Sequence, residues 1–418
     1  MTQKEKNKKN LKTSIFSPLY WKTNPYFEEM YNSLTEQTIQ DWELIVLLSN
    51  GGKVPEKIAK DKRVKIIQDT EENNNIGRLK RVCCDAATND ILVELDADDM
   101  LTPDALEEIT KAFQDDDVHF AYSNCAEFFD KTWEPRVYGE NWGWRNRPFH
   151  YKGHDLLEQF SFPPMATTMW RVEWAPNHVR AWRKSSYYEV GGHDPDIPNG
   201  DDHELICRTY IKYGDKGFHW INKCLYLYRV HDSNHCMVDN STVQDVVLQN
   251  YFKYSRQIAT KWARDNDLKT VDLGGRGEIW DGYNPITLDN LYDLEPNSVG
   301  VIKCHEFLQY VPNPIEVMEK IWEVLAHGGI LFLEVPSTES NEAFGNPKHK
   351  SYWNGTSCKF YSQKMFAEEI GFKGKFQEWR NATFYPSQYH EDNNILITQM
   401  DLVAIKKDKP ILPGPQWV

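Results

Sequence analysis

VELDADDMLTP, Val93 to Pro103, decides the reading of this 418-residue chain. An apolar run of Ile91, Leu92, Val93 and Leu95 carries straight into Asp96, Asp98 and Asp99, and Thr102-Pro103-Asp104 opens a helix. Three carboxylates this close at the end of a buried strand disfavour joint ionisation, and a cation is the usual remedy. The D-x-D arrangement at the mouth of a sheet points to a metal-dependent enzyme acting on a phosphorylated substrate.

Upstream, strand and helix alternate. Thr13 to Pro18 reads as a strand ending at proline, and Asn24-Pro25 starts a helix with Phe27, Met30, Tyr31 and Leu34 on one face. Leu44 to Leu48 is a continuous apolar run, the mark of a buried parallel strand, and it stops at the turn Ser49-Asn50-Gly51-Gly52. Val64 to Ile67 is a short strand and Ile76 to Ala87 a helix. The expectation is an α/β fold whose sheet binds ligand beyond the carboxyl ends of its strands, where Pro18, Asn50 and Asp96 fall.

Downstream the pattern dissolves from Asn124 to Pro164, which reads equally as a substrate loop or as β structure without clear alternation. Val243 to Ala263 has helical spacing and connects to a second alternating half. There Thr270 to Gly275 is a strand entering a glycine turn, and Val299 to Cys304 is another. Asn313-Pro314 caps a helix expected to stop at Gly328-Gly329, followed by a strand from Ile330 to Val335. The length requires more than one core.

A net charge of −14 argues against broad nucleic-acid binding. No apolar run is long enough for a membrane span. The eight cysteines lack metal-ligand spacing and read as free thiols, hence an expected cytoplasmic location. Residues 1–12 are basic and polar and read as a disordered arm.

The ordered motifs of the first half resemble the family-two inverting glycosyltransferases of the nucleotide-sugar-binding, Rossmann-like GT-A fold. SIFSPLYW, SLTEQ, WELIVLLSNGG, NNIGRLKRVCCDAATNDILVELDADD, RKSSYYEVGGHDPDIPNGDDHEL and CLYLYRVH carry the resemblance from about Ser14 to His231. It implies metal-dependent transfer of a sugar from a nucleotide-sugar donor to a glycan or other hydroxyl acceptor, with inversion, as in polysaccharide biosynthesis. Pro18, Asn50, Lys80, Asp96 and Gly192 would then meet the donor. Asp98 and His231, with Asp96 directly or through water, would hold the metal. A mixed Asp/His set favours Mn²⁺ over Mg²⁺. Asp202 stands at the family's general-base position and Asp201 beside it as its orienter. His193 departs from the phenylalanine usual after the two glycines.

Val271-Asp272-Leu273-Gly274-Gly275, HEFLQYVPNPIEVMEKIWEVLAHGGILFLEVPS and the closing DLVAIKK resemble class I S-adenosylmethionine-dependent methyltransferases, over about Lys269 to Lys407. This Rossmann-like half is shortened: Arg276 replaces the second glycine of the family motif, and the first helix and second strand are cut away. The resemblance implies S-adenosylmethionine at Asp272, Gly274, Gly275 and Asp289, and O-methylation of the glycan with His305, Glu306 or His349 as base. The organisation read here is a glycosyltransferase domain over 13–240, a connecting helix over 241–268 and the methyltransferase-like domain over 269–418. The competing readings are a glycan-binding scaffold, or a transferase carrying an inactive methyltransferase-like docking domain.

Overall fold

The computed structural model describes residues 9–19, 24–71, 73–169, 175–234, 240–278, 280–406 and 411–417. The chain divides into two compact units, one of Met1–Glu140, Trp144–Pro164 and Thr168–Ser255, the other of Asn141–Gly143, Met165–Thr167 and Arg256–Val418.

In the first unit, β1 (Thr13–Leu19), β2 (Trp42–Leu48), β3 (Val64–Gln68) and β4 (Ile91–Glu94) lie parallel in the order β3-β2-β1-β4. Leu44 through Leu47 are wholly inaccessible, as a strand covered on both faces requires. The helix Phe27–Thr35 buries Phe27, Met30, Tyr31 and Leu34, and the helix Ile76–Ala86 packs on β1 and β2. The rest of the sheet is mixed. It uses β5 (Met100–Leu101), β6 (Phe120–Phe129), β7 (Pro135–Arg136), β8 (Asn146–Tyr151), β9 (His154–Gln159), β10 (Arg180–Arg183) and β11 (Phe218–Val230). After β4 the order runs β10-β6-β11-β5, and β7 and β9 also pair with β6.

The stretch from Asn124 to Pro164 is therefore mostly β structure, joined by short turns. Its alternation is invisible because β6 is buried on both faces from Phe120 to Phe128. Polar residues sit inside it because partners arrive from other strands: the Asn124 amide donates to Glu158 at 2.6 Å, and the Tyr138 hydroxyl to Glu127 at 2.6 Å.

In the second unit, β12 (Lys269–Leu273), β13 (Asn284–Ile286), β14 (Val299–His305) and β15 (Leu325–Pro336) are parallel. The antiparallel β16 (Phe376–Phe384) and β17 (Ile397–Ala404) close the order β13-β12-β14-β15-β17-β16. The helix Pro314–Val324 begins where expected, with the Asn313 side chain accepting from the Glu316 amide. It ends earlier than the glycines suggest. Leu325 already pairs with Val299, so Gly328-Gly329 lie within β15, with a register shift between Val299 and Val301. The helix Asn240–Asp265 precedes this unit's first strand.

Glu334 on β15 is pushed up to about 7, first by burial and then by Asp401. His305 faces it with Nδ1 3.2 Å from Oε2. Its own pKa is depressed to about 3, by burial first. Burial thus favours the protonated Glu334 carboxyl beside a neutral imidazole. Because the folded value lies above the ordinary carboxylate value, the stability linked to this carboxyl is fully present below pH ~4.5 and is lost as pH rises toward 7. The expected decline is about 2–3 kcal/mol. Amide hydrogen exchange in β15 and β17 should quicken accordingly between pH 5 and 7.5 after correction for intrinsic rates. Glu334→Gln should flatten that slope.

Candidate active site

The acidic run folds over the carboxyl end of β4 and is latched to β11. Asp99 is 1 % exposed. One of its oxygens accepts from the Tyr226 hydroxyl and the other from the Arg229 amide, both at 2.7 Å. The Tyr226 hydroxyl in turn accepts from the Asp96 amide at 3.2 Å, and Arg229 Nε donates to the Asp98 carbonyl at 2.9 Å. These bonds leave the Asp98 carboxylate facing His231, with Oδ2 2.9 Å from Nε2. Ser233 Oγ lies 3.0 Å from the other imidazole nitrogen, and the Tyr26 ring packs against the imidazole at 5.0 Å. That separation is a direct hydrogen-bond contact, and it also equals the roughly 3 Å between two ligands at right angles on one hard cation.

Asp96 is pushed up to about 7, mainly by burial and then by Glu94, Asp98 and Asp202 acting against Lys80. A carboxyl in that position takes either a proton or a cation. Two further groupings bring ligand atoms within 4.8 Å of one another: Glu94, His178 and Asp202, and Asp96, Asp99 and His178.

Asp201 and Asp202 open the helix Asp201–Tyr213, entered through Gly200 at φ +67°. The Asp202 carboxylate accepts from the Arg180 guanidinium and, at 2.8 Å, from the His203 amide. Burial pushes Asp202 up, but Arg180, Lys80 and His178 outweigh it and hold the carboxyl well below the usual range. Arg180 also reaches His178 Nε2 at 2.9 Å. Burial and Arg180 keep that imidazole neutral. Asp201 faces inward instead, 3.3 Å from His193 Nε2 and 3.5 Å from Lys80 Nζ. It is pushed up to about 7, by burial first.

Lys80, read from the sequence as a nucleotide contact, is 5 % exposed and bonds Glu94 at 2.5 Å. Burial pulls the ammonium down, but Asp201, Glu94, Asp202 and Asp96 hold it well above its ordinary value. Pro18 lies near the end of β1, and Asn50 is exposed at φ +49° just past β2. Gly192, at φ +66°, is needed for packing: a Cβ there would come within 2.6 Å of the Tyr187 ring and 2.7 Å of Arg81. His193, which stands where the family has phenylalanine, is fully buried and bonds the Tyr187 hydroxyl at 2.9 Å.

Sequence reasoning passed over Glu94, His178, Arg180, Tyr226 and Arg229. Glu94 lay inside the quoted run, and a carboxylate in an otherwise apolar strand was the signal for a buried cation. Arg180 in HVRAWR carried the same signal in reverse.

In the second unit, Asp272 is 4 % exposed and bonds Lys303 Nζ at 2.8 Å. Lys303 also donates to the Arg276 carbonyl at 2.7 Å. Gly274 has φ +93°, and a Cβ there would meet the Phe307 ring at 2.5 Å. Gly275 has φ +59°, with Pro285 3.8 Å from where its Cβ would be. Asp289 is exposed in the first turn of the helix Leu288–Tyr292.

The first unit's sheet thus gathers carboxylates, imidazoles and buried cations near its strand ends. Residues 14–175 match the family model described as Glycosyl transferase family 2. Among solved structures, S. aureus TarS is similar with a TM-score of 0.43 and 13 % identity, covering 62 % of this chain and 43 % of that one. S. aureus TarS 1–349 in complex with UDP-GlcNAc gives 0.44 and 13 %, covering 62 % of this chain and 72 % of that one. The chain thus spans less than half the length of the first of these. No curated protein matches it. Among the described residues, no helix is long and apolar enough to cross a membrane.

Proposed function

We propose that the first unit transfers a sugar, with inversion, from a nucleotide-sugar donor to a hydroxyl of a glycan or other acceptor. The observation that carries this reading is the 2.9 Å approach of His231 to Asp98, two residues far apart in the chain. Asp98 and His231 would hold the cation, and Asp96 would release its proton to solvent as the cation binds. A bound divalent cation supplies charge neutralisation at the departing diphosphate. Pro18, near the end of β1, and Asn50, just past β2, stand at adjacent strand ends, a natural seat for the nucleotide. Asp202 would take the acceptor proton, and Asp201 with Lys80 and His193 would hold its helix end in place. Nucleotide release from UDP-, GDP- and dTDP-sugars should require Mn²⁺ and stop with EDTA. His231→Ala should weaken the Mn²⁺ dependence by about a hundredfold, read from a metal titration of the same assay. Metal-independent release would remove the cation from the reading, and no release with any donor would overturn it in favour of a glycan-binding scaffold.

For the second unit we favour a role without S-adenosylmethionine. The residues read as its cradle do not fit it well. Phe307 covers Gly274, Lys303 engages Asp272, Arg276 stacks 4.3 Å from the Tyr310 ring centroid, and Asp289 points its charge to solvent. The glycine turn then serves packing rather than cofactor approach, and the unit acts as a docking module. Calorimetric titration with millimolar S-adenosylmethionine should give no binding heat. Saturable binding there would restore the methyltransferase reading.

A further inference from the structure

Beside the Asp98–His231 pair lies a cavity of about 600 Å³. It opens past the ends of β6 and β11, with Tyr26, Phe129 and His231 in its wall. In sheet order this is the opposite side of the acidic run from β1 and β2, whose ends are proposed for the nucleotide. An occupant would therefore approach the metal pair from the face away from the nucleotide, and it would share His231 with that pair.

The floor of the cavity is braced. Arg229, 3 % exposed, bonds Asp130 at 2.7 Å and Glu29 at 2.6 Å. Its guanidinium lies over the rings of Tyr26 at 4.5 Å and Phe128 at 5.1 Å. The Tyr26 hydroxyl donates to the second oxygen of Asp130 at 3.0 Å. Asp130 is thus neutralised by Arg229 and fixed in place. Of the remaining charged groups in the wall, Glu134 and Asp232 outnumber Lys131, while Thr132 and Ser233 offer hydroxyls. The Phe129 side chain is 42 % exposed, an aromatic face left open to a ligand.

We propose that this cavity is the acceptor subsite, and that it takes a saccharide unit free of anionic groups. The assignment rests on the glycosyltransfer reading above and adds to it the acceptor's place and charge. An aromatic face packs against the C–H side of a sugar ring, the hydroxyls and carboxylates bond its OH groups, and the acidic wall repels carboxylated or phosphorylated units.

The probes are methyl β-glucoside, methyl β-glucosaminide and methyl β-glucuronide, offered to wild type, Phe129→Ala and Glu134→Lys with whichever donor the wild type hydrolyses. Phe129→Ala should raise the acceptor KM about tenfold, with donor hydrolysis unchanged. Glu134→Lys should shift preference toward the glucuronide by about tenfold in kcat/KM. Unmoved acceptor constants in both variants, with donor hydrolysis intact, would overturn the cavity assignment and leave the glycosyltransfer reading standing. If the wild type hydrolyses no donor, that reading fails. Saturation-transfer NMR with the same glycosides then decides the cavity alone. Glucoside binding that is lost in Phe129→Ala supports it, and absent or unaltered binding overturns it.

Discussion

Asp202→Asn is expected to lower transfer by about three orders of magnitude while the nucleotide still binds. The substitution keeps size and shape, and the new side-chain oxygen can still accept from the His203 amide, so the helix Asp201–Tyr213 should start as before. In the proposed role, what is lost is the lone pair that would remove a proton from the acceptor hydroxyl. Arg180 holds the carboxyl ionised, the form a base needs, at the expense of basicity. Asp202 should therefore contribute no acid limb to the rate profile above pH ~5. The measurements are single-turnover transfer and calorimetric titration with the nucleotide. Equal transfer by variant and wild type would remove Asp202 from the base role.

Lys80→Met should destabilise the first unit by about 3–5 kcal/mol, because it strands buried carboxylates. Glu94 is 1 % and Asp201 2 % exposed, and one oxygen of each is without a hydrogen-bond partner. His193 is fully buried, and that burial, the main cause of its lowered pKa, persists in the variant and opposes its taking up the lost charge. The sign of the pH dependence follows. Lys80 has a raised pKa, so its contribution in wild type is fully present below its ordinary value near 10.5 and is lost only above it. In the variant the stranded carboxyls take up protons in the folded state, so stability should recover as pH falls from 8 to 5. Urea unfolding followed by the first unit's amide exchange would read this, and Lys80→Met/Glu94→Gln should regain part of the loss. A variant of unchanged stability but weakened nucleotide binding would return Lys80 to the role read from its motif.

The parallel half of the first sheet was legible because its strands are uniformly apolar and its helices amphipathic. Leu44 to Leu48 and the Phe27–Leu34 face needed no tertiary knowledge. The stretch after Asn124 was illegible because its buried polar residues are satisfied from elsewhere, and local sequence does not show that Glu158 awaits Asn124. The glycines of β15 misled for a related reason. A glycine pair normally ends a helix, but pairing of Leu325 with Val299 ended it first. The D-x-D run and His231 were readable as motifs. Arg180 in its apolar strand signalled only that some buried carboxylate awaited it, and His178 signalled nothing, since both act through a carboxylate on a different element.

The latch between the acidic run and β11 bears on how this enzyme can be re-engineered. Asp99 is tied to Tyr226 and Arg229, Asp98 to Arg229 and His231, and Asp96 to Tyr226. The smallest portable piece of the proposed metal site is therefore two distant segments in fixed register. If the proposed site binds Mn²⁺, chimeras that exchange residues 94–99 alone should lose that binding, whereas those that also carry 226–234 should keep it.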